Sequence, residues 1–254
     1  MSDHFNISGK TVLITGASSG LGRHFAKLLV NHGARVAACA RRADLLHSLA
    51  DELGAQGGTL LPVSLDVGSL SSIREAITKI EDELGPIEAL VNNAGIAGQG
   101  KVLNISEDDY DRMFDTNTRG AFFMARECAA RMIERDNGGA IVNIASAAGI
   151  MQMPQLAVYG MTKAAVVHMT KALAREWGRY NINVNAICPG YIATDINSDF
   201  FSSEPGRKVI DGLPRKRIGQ PEDLEAALLL LLAERGSRLI NGSIISVDDG
   251  YNLG

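Results

Sequence analysis

One feature constrains the fold more than any other: short β-branched apolar runs alternate with stretches of helical spacing along the whole chain. Thr11–Thr15 is apolar and followed by glycines, as expected of a strand buried on both faces. Residues 20–32 then repeat apolar positions at helical spacing (Leu21, Phe25, Leu28, Leu29) and stop at Gly33, a natural helix terminator. The cycle continues with a strand at Arg35–Ala40, a helix over 43–53, a strand over 59–64, a helix over 71–84 closed by Gly85-Pro86, and a strand over 87–92. The second half lengthens the helices. Ser106 to Asp109 reads as a capping box, with Asp in the usual Glu or Gln place, opening a helix over 107–135. A strand over 140–144, a helix over 156–180, a strand over 183–188, a helix over 222–235 begun by Pro221 and a strand over 243–247 complete the pattern. Strands joined by helices form a parallel sheet covered on both faces. The expectation is therefore a single α/β domain, 1–254, with a doubly wound parallel sheet of seven strands. One stretch breaks the short-loop rule. Residues 192–219 are long, polar and carry Phe200-Phe201, and they read as a substrate lid.

Composition narrows the function classes. With 46% hydrophobic and 21% charged residues and a net charge of −4, the 254-residue chain is globular rather than disordered. Mild acidity argues against nucleic-acid binding. Aromatics make up only 5%, so the core must be aliphatic. Cys39, Cys128 and Cys188 cannot all pair, and none belongs to a C-x-x-C, so they read as buried thiols in a reducing compartment. Residues 1–10 lack the charged-then-apolar pattern of a signal peptide, and the aliphatic block at 226–233 is far too short to span a bilayer. The expectation is a cytoplasmic protein with no membrane partner. The scattered histidines suggest no metal site.

The turn after the first strand reads Thr15-Gly16-Ala-Ser18-Ser19-Gly20-Leu21-Gly22. Glycines there let the backbone approach a pyrophosphate, and the helix N-terminus adds N–H donors and positive potential. The spacing differs from G-x-G-x-x-G, so the turn alone is a moderate signal. At the end of the second strand, dinucleotide folds place a carboxylate for a ribose 2′-hydroxyl or a basic group for a 2′-phosphate. Here Ala40 is followed by Arg41 and Arg42, which favours NADP(H) over NAD(H). No basic residue lies inside the turn itself.

Tyr159 and Lys163 stand four apart on a helix and so share a face. A free tyrosine ionises near pH 10, and bringing that to about 7 requires about 4 kcal/mol of differential stabilisation. A neighbouring ammonium acts in that direction. Ser146 follows the fifth strand, at the sheet edge where parallel folds bind ligands. Asn117 lies in the long helix before that strand, and Val91 to Gly95 ends the fourth strand at the same edge.

On these motifs the chain resembles the single-domain short-chain dehydrogenases/reductases of about 250 residues, ketoreductase-like in type, with a Rossmann-type sheet. The resemblance covers essentially the whole length. It implies a catalytic set of Asn117, Ser146, Tyr159 and Lys163. Tyr159 would be the proton donor, Ser146 the stabiliser of the carbonyl oxygen, Lys163 the ribose anchor, and Asn117 the support of a proton-relay water. It implies cofactor contacts at Gly16, Ser18, Ser19, Gly20, Leu21 and Gly22, and at Asp66 and Val67 near the adenine. Asn93, Ala94 and Gly95 would line the nicotinamide ribose with Tyr159 and Lys163. Pro189, Gly190, Ile192 and Thr194 would hold the nicotinamide amide. Residues near the expected pocket are apolar (Ile96, Met151, Met153, Leu156, Tyr191), which favours a neutral ketone or secondary alcohol. Arg215, Lys216 and Arg217 read either as a solvated basic stretch or as a contact for an acidic carrier. The helix over 156–180 is apolar or small nearly all round, so it should be buried, and relatives of this type pair such helices into homotetramers. The leading expectation is an NADPH-dependent carbonyl reductase. The alternatives are an NAD-dependent alcohol dehydrogenase acting on a sugar or hydroxysteroid, and a dinucleotide-sensing protein without chemistry.

Overall fold

The structure, a computed structural model, describes residues 4–195 and 197–253. Its sheet holds β1 (Thr11–Thr15), β2 (Arg35–Ala40), β3 (Leu60–Ser64), β4 (Ala89–Asn92), β5 (Gly139–Ile144), β6 (Ile182–Pro189) and β7 (Ile244–Val247). The order is β3-β2-β1-β4-β5-β6-β7, and every pairing is parallel. The chain runs outward from β1 to β3, then restarts at β4 on the other side of β1. That reversal opens a crevice at the carboxyl ends of β1 and β4, where α/β sheets take ligands.

Period-two alternation divides the core. Val12, Ile14, Val91 and Val142 face a layer built with Phe25, Leu29 and Leu49 from α1 (Gly20–Asn31) and α2 (Ala43–Gly54). Leu13, Leu90 and Ile141 face the other layer, with Ile73, Ile77 and Ile80 of α3 (Leu70–Leu84). The three thiols are free and buried, as expected from their spacing. Helix α1 ends at Gly33 with φ +79°, a left-handed conformation glycine takes without a Cβ clash.

The second half departs from the sequence reading in several places. The helix expected over 107–135 is interrupted: α4 (Glu107–Phe114) passes into a π-helical segment, Asp115–Gly120, before α5 (Ala121–Glu134). A tertiary contact explains the break. A Cβ on Gly120 would lie 2.9 Å from Val67 Cγ2 and 3.0 Å from Val67 O, so the helix is pressed against the turn after β3. Such π segments concentrate at functional sites. The expected capping box closes differently: Ser106 Oγ accepts from Asp109 N at 3.1 Å and donates to the Asp109 carboxylate at 2.8 Å. Helix α6 (Ala157–Trp177) does follow the reading of one sheet-facing side: it is buried along the stripe Val158, Thr162, Lys163, Val166, Thr170, Leu173 and Ala174, and Met161, Ala164 and His168 are exposed on the single chain.

The long polar segment is not a plain loop. It folds into α7 (Ser198–Ser202) and α8 (Glu204–Asp211), with Ser203 capping α8 through Gly206 N at 3.3 Å. Its ends meet in a parallel bridge between Ile192 and Gly219, closed by Ala193 N to Gly219 O at 2.9 Å. The helix expected over 222–235 is a short turn at Pro221–Leu224 followed by α9 (Glu225–Leu232). No helix among the described residues is long and apolar enough to cross a membrane.

Candidate active site

The glycine turn is shaped by close backbone approach. Gly16 (φ +71°) and Gly20 (φ +53°) are left-handed, and a Cβ on Gly22 would sit 2.3 Å from Gly16 O. Ser19 precedes α1 without capping it, so the first-turn N–H groups have no side-chain acceptor and point out of the turn. Leu21 packs against the core layer beneath. A bare, uncapped cradle of this kind fits a pyrophosphate. Thr15 Oγ1 accepts from Asn93 N (3.0 Å) and Ala94 N (2.9 Å), and Asn93 Nδ2 donates to Thr15 O at 3.0 Å. The end of β4 is thus stitched to the turn.

The two arginines separate. Arg41 is exposed, whereas Arg42 folds back over the turn and donates to Ser18 Oγ at 2.9 Å and Ser19 Oγ at 2.7 Å. The turn contains no basic residue of its own, but the fold brings one to it. Asp66 is exposed after β3, its Oδ1 accepting from Gly68 N at 3.0 Å, and Val67 packs on Gly120.

Asn117 is presented by the π segment and is buried. Its Oδ1 accepts from Ile96 N at 2.8 Å; its Nδ2 donates to Ile96 O at 2.8 Å and to Thr162 Oγ1 at 3.1 Å. Lys163 Nζ donates to Ile144 O at 2.9 Å and lies 5.7 Å from the Tyr159 ring centroid. Gly95 is what admits these groups, since a Cβ there would stand 3.2 Å from Asn117 Oδ1 and 3.4 Å from Lys163 Nζ. Ser146 leaves β5 in an extended conformation, its Oγ accepts from Ala148 N at 3.1 Å, and its hydroxyl acts to lower the pKa of the Tyr159 phenol. Pro189 ends β6, and Gly190 lies against Asp248, where a Cβ would be 2.8 Å away. Ile192 is buried, and the Thr194 backbone N–H donates to Asn197 Oδ1 at 2.8 Å. The residues singled out from the sequence all gather at the carboxyl edge of the sheet.

Burial pushes the Tyr159 phenol above its ordinary value, and its interaction with Ser146 partly opposes this. The Lys163 ammonium donates to the Ile144 carbonyl and lies 5.7 Å from the ring centroid. Burial also pulls Lys163 down to about 8.

Thr162, Asn143 and Thr170 support the site and were not singled out from the sequence, whereas Asn92 belongs to the motif at the end of β4 read as supporting the sheet. Thr162 is buried, accepts from Asn117 and donates to Tyr159 O at 2.7 Å, which ties the π segment to the turn of α6 that carries the phenol. Asn92 Nδ2 donates to Asn143 Oδ1 at 3.0 Å, and Asn143 Nδ2 to Thr170 Oγ1 at 2.9 Å, which braces β4, β5 and α6 beneath the site. A polar residue inside an apolar strand such as 140–144 was the available signal for Asn143.

Comparison with known proteins agrees with this geometry. The family model described as short chain dehydrogenase matches residues 10–205. The chain is 36% identical to gluconate 5-dehydrogenase of Gluconobacter oxydans (strain 621H), over 99% of this chain and 98% of that one. It is 35% identical to L-xylulose reductase of Caenorhabditis elegans, over 99% of each. Among solved structures, a gluconate 5-dehydrogenase from Burkholderia cenocepacia J2315 in complex with NADP and tartrate superposes with a TM-score of 0.94 at 31% identity, covering 99% of this chain and 98% of that one. With family match, fold and site geometry in agreement, the chain belongs to the short-chain dehydrogenases and is an NAD(P)-dependent oxidoreductase acting on CH–OH groups.

Proposed function

We propose that the chain is an NADPH-preferring carbonyl reductase working reversibly on a neutral ketone and its secondary alcohol. The observation that carries the chemistry is the gathering of Tyr159, Lys163 and Asn117 beside Ser146 at the end of β5, with Lys163 buried 5.7 Å from the Tyr159 ring centroid and tied to Ile144 O. The glycine turn and the uncapped start of α1 hold the pyrophosphate; Asn93 to Gly95, Lys163, Pro189, Gly190, Ile192 and Thr194 hold the nicotinamide end. The bound nicotinamide supplies or accepts the hydride. The chain's own residues manage the proton and the oxygen. Tyr159, kept protonated by burial, donates its proton to the substrate oxygen. Ser146 donates a hydrogen bond to the same oxygen and stabilises its developing charge. Asn117, its side chain spent on Ile96 and Thr162, fixes the floor beside Lys163 and supports the relay of protons from solvent.

A second reading, an NAD-dependent dehydrogenase of a sugar or sugar acid, is favoured by the relatives named for gluconate and L-xylulose. Turnover of a panel of plain and polyhydroxylated ketones with NADPH and NADH separates the two. NADPH-driven reduction of a neutral ketone is expected; turnover of sugars with NADH alone replaces the reading. Dinucleotide sensing without chemistry predicts no turnover on any member.

Lys163 gives a pH prediction. Its ammonium titrates at about 8 in the folded chain, below its ordinary value of 10.5. It is therefore charged below about pH 8 and neutral above. Because kcat/KM for NADPH reports the free enzyme, it should fall as pH rises through about 8, and Lys163→Arg should abolish that limb. The sign for folding is opposite. Between about 8 and 10.5 the unfolded chain binds more protons at this group, so its contribution to stability rises with pH.

The proposed assembly is a homotetramer, in the cytoplasm. An apolar groove lined by Phe114, Phe122, Phe123 and Met169 lies between α5 and α6, beside exposed Met161. Light scattering should give about four times the 27.1 kDa chain mass.

A further inference from the structure

Past residue 205, beyond the stretch that the family model matches, the chain builds a turn that grips the 191–219 segment. The turn follows β7 and is internally braced. Asp248 Oδ1 accepts from Gly250 N at 3.1 Å, and its Oδ2 accepts from Asn252 N at 3.0 Å. Asp249 sits in the left-handed region at φ +57°, a conformation aspartate adopts more readily than most residues. From this fixed position its carboxylate takes Arg217 Nε at 2.8 Å on one oxygen and Arg215 Nε at 3.3 Å on the other. Both arginines stand just before Gly219, the closing end of the segment.

The opening end is held by rings. Tyr191 directly follows Gly190 at the sheet edge that carries Ser146. Its ring lies 5.6 Å from that of Tyr251, tilted at 46°, and the Tyr251 hydroxyl acts to raise the pKa of the Tyr191 phenol. On another side it meets Phe201 of α7 edge-to-face, at 5.7 Å and 81°. Phe201 is buried although α7 lies at the surface. One short turn therefore holds both ends of the segment and, through Tyr191, its first helix. The basic stretch 215–217 is largely occupied by this contact: two of its three charges are on Asp249.

We propose that Asp249 and Tyr251 are positioning residues that hold the 191–219 segment closed over the substrate and set how readily it opens. Asp249 does so by an ionic clasp and Tyr251 through Tyr191. The proposal rests on the reading of that segment as a lid. An ionic clasp at an exposed site weakens as salt screens it, whereas a packed apolar hinge does not. The lid's tightness is thus tunable by ionic strength, and it acts on substrate retention rather than on proton or hydride transfer.

The test uses Asp249→Asn with a neutral ketone at saturating NADPH. KM should rise about 1.5- to fivefold with kcat unchanged or higher, the range expected of exposed paired charges. Raising ionic strength from about 0.01 to about 1 M shortens the screening length from about 30 to about 3 Å. Over that range the wild-type KM should climb to the variant's value while the variant's stays flat. Asp249→Glu should restore the salt response. Tyr251→Phe keeps the ring and should raise KM without adding salt dependence, which gives a second reading if Asp249→Asn fails to fold. Equal KM in wild type and both variants, or an identical salt response in wild type and Asp249→Asn, overturns the clasp. Hydrogen exchange over 198–211 isolates the lid reading. No difference between the free and the ternary wild-type enzyme defeats the lid and the clasp together. Protection on binding in wild type, with Asp249→Asn exchanging at the same rate, defeats the clasp alone.

Discussion

Tyr159→Phe is expected to lower kcat by about 10²-fold or more while leaving NADPH affinity nearly unchanged. The ring that lies over Lys163 is retained, so the packing of α6 and the Lys163 bond to Ile144 O survive. Only the hydroxyl is lost, and with it the one acidic proton beside Ser146. A hundredfold loss corresponds to about 2.7 kcal/mol of transition-state stabilisation. That is reasonable for one positioned proton donor in a partly buried site. The direction of reaction sharpens the test. Burial keeps the phenol protonated at neutral pH, which suits reduction; alcohol oxidation needs the phenolate and should accelerate as pH rises. Steady-state rates in both directions, with NADPH affinity measured by fluorescence titration, check both statements. A variant that keeps near wild-type turnover removes Tyr159 from the chemistry.

Arg42→Ala should erase most of a ten- to hundredfold preference for NADPH over NADH. No carboxylate follows β2 before Asp44, so nothing there repels a 2′-phosphate. Charge-assisted bonds of the kind a guanidinium makes to phosphate contribute about 1.5–3 kcal/mol, and 1.4 kcal/mol is tenfold in affinity. Position after β2 alone does not rank the two arginines. In the structure Arg42, although exposed like Arg41, is held over the turn by Ser18 and Ser19. Arg41→Ala should therefore change the preference less than Arg42→Ala. The ratio of kcat/KM for the two cofactors in wild type and each variant measures this. Wild type favouring NADH, or an Arg42→Ala preference equal to wild type, refutes the assignment.

The order of strands and helices was legible because it is local. A buried parallel strand needs a short apolar run, and a helix needs a stripe and a stop, and glycines such as Gly33 and Gly85 supplied the stops. Many candidate site residues were legible for a similar reason: they lie in compact motifs at strand ends, or, for Tyr159 and Lys163, one turn apart on α6. What the sequence concealed depends on tertiary contact. The π segment around Asn117 has helical composition; only Val67 pressing on Gly120 reveals the break. The outer face of α6 carries alanines and a methionine, which look alike whether covered or bare. The direction of the Tyr159 shift depends on how burial weighs against a lysine whose ammonium is directed elsewhere, and spacing along a helix does not encode that balance.

The bridge between Ile192 and Gly219 has an evolutionary consequence. A segment whose two ends are neighbours can be lengthened, trimmed or replaced without moving the frame it leaves and rejoins. Chain statistics make such edits inexpensive, since each doubling of loop length costs only about 0.6 kcal/mol. The side chains proposed to manage the proton and the substrate oxygen hang from β5, the π segment and α6, outside that excursion. Selection could thus diversify what this scaffold recognises by rewriting one tethered insert, while the reaction it performs stayed fixed.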